Sequence, residues 1–137
     1  FDIVPDLKLE FTEKEIPFSE VQIEDNSERK EIVSYLKHWK NANEHGRSFE
    51  TKNKTKFGFF YKAIKTKPMA TITSGSCYTI EDEPKMLLDE ELMMCGSYPM
   101  DYNFAGNKVQ YLVGMSVPPV MVAQISNQIH LQWFSKM

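Results

Sequence analysis

Pro118-Pro119, set shortly before Met121, Ile125, Ile129 and Trp133, is the feature that most narrows what this chain can become. Proline has no amide hydrogen to donate and a φ already close to the helical value, so it suits the first turn of a helix and is costly further in. The apolar residues then recur every four positions, which aligns them along one helical face. The spacing predicts an amphipathic C-terminal helix with a fixed start. Its Met and aromatic stripe is most simply a packing face, and one that packs on a domain outside the chain would stand exposed here.

Upstream the signals are shorter. Leu7, Leu9 and Phe11 alternate, with Pro5 and Pro17 nearby, which suggests short edge or irregular strands over residues 1–24. Asp25-Asn26-Ser27 offers helix caps, and Ile32, Tyr35 or Leu36, and Trp39 follow at helical spacing, predicting a helix over about 28–42 that ends at Asn43-Glu44-His45-Gly46. Phe57 to Ile64 and Ala70 to Thr73 read as strands. A short helix runs from Leu88 or Asp89 to about Met94, stopped by Gly96 and Pro99, and a turn-rich segment leads to Pro118. The fold expected is α+β: a small mixed domain with short β-strands and a few helices.

With 137 residues the chain is the size of one ordinary domain, and its 42% hydrophobic and 26% charged composition argues for a globular fold rather than disorder. It carries no apolar run long enough to span a bilayer and opens without the basic and apolar segments of a signal peptide, so a cytoplasmic protein with no membrane partner is expected. Cys77 and Cys95 have no CxxC spacing, and His38 and His45 read as exposed or capping residues, so no metal site is expected. Asp89-Glu90-Glu91 suits the positive end of a helix better than acid-base chemistry. GxSxG, HExxH, GxGxxG and P-loop motifs are all absent, and no catalytic residue is assigned.

The net charge of −3 does not favour nucleic-acid binding by bulk attraction, but its distribution is uneven. Lys52, Lys54, Lys56, Lys62, Lys65 and Lys67 fall in a stretch free of Asp and Glu that also holds Phe57, Phe59, Phe60 and Tyr61. Lysines placed so can meet phosphates while the aromatic rings pack or stack, and a solvated two-faced hairpin accounts for the same pattern.

Three further segments occur in a telling order. Pro68-Met69-Ala70-Thr71-Ile72-Thr73 comes first; Lys85-Met86-Leu87-Leu88-Asp89-Glu90-Glu91 follows, leading to Gly96-Ser97-Tyr98-Pro99-Met100-Asp101-Tyr102; Gly114-Met115-Ser116-Val117-Pro118-Pro119 comes last. They resemble, in order and spacing, the P-x-x-TIT segment and the last two motifs of DNA cytosine-5 methyltransferases, which read R-x-L-T-x-x-E with GFP-x-x-Y or GSFP-x-x-Y, and GN(A or S)VPP. The resemblance covers about residues 68–133. Met115 stands where the family has Asn, Leu88 where it has a capping Thr, and Lys85 where it has Arg.

What the resemblance implies is a C-terminal portion of such an enzyme. Residues 1–80 would form the target-recognition region, a partial small domain, and residues 81–137 the closing motifs and terminal helix, which would pack on a Rossmann-like catalytic domain. Family members flip a cytosine from the duplex and methylate it from S-adenosylmethionine through a cysteine nucleophile and a glutamate. The sequence holds neither the proline-cysteine loop nor the ENV-type glutamate motif, so alone the chain would be inactive. The implied partners are double-stranded DNA and a catalytic half in cis or trans, with the chain an excised piece or the product of a split gene in a bacterial or phage modification system. Gly114, Ser116 and Val117 would border the S-adenosylmethionine pocket, and Thr71, Thr73, Lys52, Lys54 and Lys56 would approach DNA. The second reading is a stand-alone DNA-binding or interaction module derived from such an enzyme.

Overall fold

The computed structural model describes residues 6–49 and 56–136. Its centre is a three-stranded mixed sheet of β1 (Arg47–Phe49), β2 (Lys56–Lys62) and β3 (Cys77–Thr79), in that order, with β1 antiparallel and β3 parallel to β2. Side chains alternate across a strand, and β2 uses the alternation: Phe60 is buried on one face while Phe59 is largely exposed. Phe60 packs with Ile32 and Cys77 under Tyr35 and Trp39, the latter on α1 (Leu36–Lys40). On the other face Tyr78, Ile80 and Ala63 meet Phe18, Leu87 and Leu92, with Tyr61 stacked 5.2 Å from Tyr78. This main core joins residues from before the sheet, the sheet and α2 (Asp89–Cys95).

A third cluster of Met93, Phe104 and Val113 binds α2 to α3 (Val109–Met115). Gly96 lets these two helices approach, since a Cβ there would lie 2.6 Å from a Val113 methyl. The chain then runs into α4 (Pro119–Gln132), with Pro119 in its first turn as the sequence indicates. The Ser97 hydroxyl accepts the Val120 amide at 3.1 Å, replacing one partner that a helix start lacks. No helix among the described residues is long and apolar enough to cross a membrane.

Several expectations change. The helix read over 28–42 contracts to α1, because the chain before it is used otherwise: Glu31 bridges Lys85, the Ile32 amide bonds the Pro84 carbonyl, and Arg29 enters the core. Asp25 caps a local turn by accepting the Ser27 amide at 2.8 Å instead of starting a helix. Residues 6–17 form no strand, and the first element is a 3-10 turn at Phe18–Glu20. Ala70 to Thr73 is not a strand either, since its backbone is held by a tyrosine hydroxyl rather than a sheet neighbour. α3 replaces part of the stretch read as turns.

α4 also differs in its packing. Ile125, Ile129 and Trp133 are half-buried along the expected stripe, yet Val120, Val122 and Leu131 lie exposed, so apolar surface surrounds the helix. Polar bonds also link it to the residues before the sheet. Gln132 and Gln128, one turn apart, each offer an amide to the extended backbone at Lys8 and Glu10: the two backbone amides donate to the glutamine Oε1 atoms at 3.0 Å, and the glutamine Nε2 atoms donate to the Lys8 and Glu10 carbonyls.

Candidate functional site

Two of the three motif segments meet at α3. The Tyr78 hydroxyl, fixed by β3, donates to the Thr71 carbonyl at 2.9 Å and accepts the Thr73 amide at 2.7 Å. Gln110, on the first turn of α3, donates to the carbonyls of Thr73 at 3.1 Å and Ser76 at 2.6 Å. These bonds hold the 71–76 segment so close to α3 that a Cβ at Gly114 would lie 2.5 Å from the Ser74 nitrogen and 2.6 Å from the Thr73 carbonyl carbon. Only glycine avoids that overlap, so Gly114 serves the contact between motifs directly.

The neighbouring motif residues are placed as follows. Thr71 is exposed, while the Thr73 hydroxyl lies 2.7 Å from that of Ser76 and is occupied locally. Ser116 caps the end of α3, with its hydroxyl donating to the Val113 carbonyl at 2.9 Å and accepting from Tyr98 at 2.6 Å. Its amide is used as well, bonded to Val113. Met115 and Val117 on either side are exposed. Around Ser116 the groups left open are the Met115 and Val117 side chains and backbone, which make an edge and not an enclosing pocket.

The middle motif contains a residue whose role its position at a helix start did not reveal. Leu88 precedes α2 and has no side-chain acceptor, so the helix is capped from within: Glu91 accepts the Leu88 amide at 2.9 Å. Asp89 and Glu90 stay exposed at the helix start, but Glu91 is fully buried. It faces Arg29, whose two terminal nitrogens lie 2.6 and 2.5 Å from the carboxylate oxygens, and it also accepts the Ile23 amide at 2.8 Å. Arg29 completes its bonding with Asn26 and the Ile23 and Met86 carbonyls. A buried pair with every polar atom engaged joins the residues before the sheet to α2. One cue was available: arginine occurs twice in the chain against many lysines, and its planar fork suits two-point binding of a carboxylate.

Of the lysines named as DNA contacts, Lys52 and Lys54 lie outside the described residues, and Lys56 opens β2 with its backbone paired to Phe49 and its side chain outside the description. His38 is neither exposed nor capping: it lies half-buried between the Tyr35 and Phe60 rings, 2.8 Å from the Ser48 hydroxyl. His45 is exposed, and no group of metal-binding side chains occurs among the described residues. Burial pushes the Cys77 thiol up to about 11 and, together with the nearby Glu91 charge, that of Cys95 to about 12. Both therefore remain protonated at neutral pH, the wrong state for a nucleophile. The chain matches no family model, no curated protein and no solved structure.

Proposed function

We propose that this chain is the target-recognition and closing portion of a DNA cytosine-5 methyltransferase, inactive alone and completed by a catalytic half in cis or trans. The observation that carries the reading is the contact of Gly114 with Thr73 and Ser74, which brings together the first and the last of the three segments that resemble the family. The sheet and its loops face duplex DNA, with lysines meeting phosphates and loop polar groups meeting base edges. Met115 and Val117 form one edge of the S-adenosylmethionine pocket, and the exposed apolar side of α4 packs on the catalytic domain. The methyl donor and the reacting cysteine both belong to that other half.

Titration of a labelled duplex DNA with the chain tests the recognition part. Expected is binding that weakens steeply as salt rises from about 50 to 200 mM and that favours some sequences over a random pool. Absence of binding at the lower salt, or binding without sequence preference, contradicts it.

A further inference from the structure

Asp6-Leu7-Lys8-Leu9-Glu10-Phe11-Thr12 runs beside α4 without a turn or bend and is held along one edge. The fit is one of spacing. Two residues of extended chain advance about 6.7 Å and four residues of helix about 6 Å, so Gln132 and Gln128 meet Lys8 and Glu10 in step. Each glutamine takes both the amide and the carbonyl of its residue. In an extended chain those two groups of one residue point to the same edge, and those of the next residue to the opposite edge. The amides and carbonyls of Leu7, Leu9 and Phe11 therefore point away from α4, and among the described residues none of them is bonded. Lys8, Leu9, Glu10 and Phe11 are all exposed. The segment is thus a strand that lacks only a neighbour, and such an edge is a template for another strand.

Its side chains select the neighbour. Antiparallel pairing with the same segment of a second copy, centred on Leu9, sets Leu7 against the partner's Phe11 and Lys8 against the partner's Glu10. Leu7, Leu9 and Phe11 then occupy the hydrogen-bonded pairs, as their open backbone groups require. Lys8 and Glu10 fall in the other pairs, where opposite side chains approach more closely and unlike charges attract. Sliding the strands by two residues either way puts Lys8 against Lys8 or Glu10 against Glu10, and parallel pairing in register does both. A slip of one residue sets the open groups against residues whose groups face α4. Each α4 lies on the outer edge of its own strand, so the pairing leaves both glutamine ties in place.

We infer that residues 7–11 are a dimerisation strand, which pairs antiparallel about Leu9 with the same strand of a second copy of this chain. The inference is independent of the recognition reading. A ladder this short suits a weak dimer that forms as concentration rises.

Sedimentation equilibrium of the whole chain from low micromolar to millimolar concentration, with amide hydrogen exchange at both ends of that range, tests the pairing. Expected is a rise in mass from one chain to two, with the Leu7, Leu9 and Phe11 amides protected only in the dimer and those of Lys8 and Glu10 little changed. Leu9→Pro removes the amide at the two-fold centre, which has no partner in the single chain. It should abolish the dimer and leave the thermal midpoint of the dilute protein in place. Lys8→Glu and Glu10→Lys should each weaken association by about 10-fold or more, since symmetry repeats every like-charge contact. The double variant Lys8→Glu/Glu10→Lys should recover the parent's affinity, and it decides the matter alone if Leu9→Pro does not fold. A mass of one chain throughout, a dimer that survives Leu9→Pro, or a double variant no better than the single ones overturns the pairing. So does a chain that stays single until a catalytic half is added and only then protects the Leu9 amide; that result gives the edge to the other partner and leaves the recognition reading standing.

Discussion

The start of α2 and the length of α4 solve one problem in opposite ways. Each is tied to a distant segment by side chains that bond backbone groups, Glu91 to Ile23 in the first case and Gln128 and Gln132 to Glu10 and Lys8 in the second. At α2 the tie is fully buried and contains an ion pair; at α4 it lies in water. Hydrogen bonds of similar length thus have very different consequences. A buried partner cannot be replaced, whereas water takes over a lost bond at the surface. The α2 region closes on itself, and α4 keeps apolar surface for something else.

Breaking the buried tie should have the largest effect. Arg29→Met leaves the Glu91 carboxylate uncompensated in the core and should cost roughly 3–5 kcal/mol in urea denaturation. Adding Glu91→Leu should recover only part of that, because the Ile23 and Leu88 amides then lose their acceptor. Gly114→Ala comes next, at about 1–3 kcal/mol, from the overlap of the new methyl with the Thr73 and Ser74 backbone.

A pH series probes the same buried side of the comparison. The folded Cys77 and Cys95 thiols titrate at about 11 and about 12, above their ordinary value of 9.0. Folding keeps them protonated, so their contribution is fully present below pH 9.0 and is lost as pH rises toward those folded values. Denaturant midpoints should therefore fall from pH 8 to 10.5, and Cys95→Ala should flatten the fall. The smallest effect is expected at α4, where Gln128→Ala and Gln132→Ala should each change global stability by less than about 1 kcal/mol. Hydrogen exchange should nonetheless quicken at Lys8 and Glu10, whose amides lose their acceptors.

How legible each region was follows from the range of its forces. α2 and the start of α4 are set by local chemistry, Gly and Pro punctuation and helical spacing, and the sequence displays them. The helix read from residue 28 failed because Arg29 answers a carboxylate far along the chain, and Glu31 a strand-like partner at Lys85. Thr71-Ile72-Thr73 has strand propensity, but the Tyr78 hydroxyl takes its backbone groups first. α3 has no side-chain cap at its start and carries Gly114 in its last turn, so its local signal is poor. Motif order picked out Gly114 and Thr73, which the fold places in contact. Arg29 and Arg47 escaped notice because their partners, Glu91 and Tyr61, are brought to them only by the folded chain.

The most direct test of the recognition and closing assignment joins this chain, by fusion or by mixing, to a methyltransferase catalytic portion that carries the proline-cysteine and glutamate motifs. Transfer of labelled methyl groups from S-adenosylmethionine to duplex DNA is then measured for each part and for the combination. Transfer to cytosine at a defined sequence is expected only when both parts are present. No transfer by the folded, associated combination would contradict it.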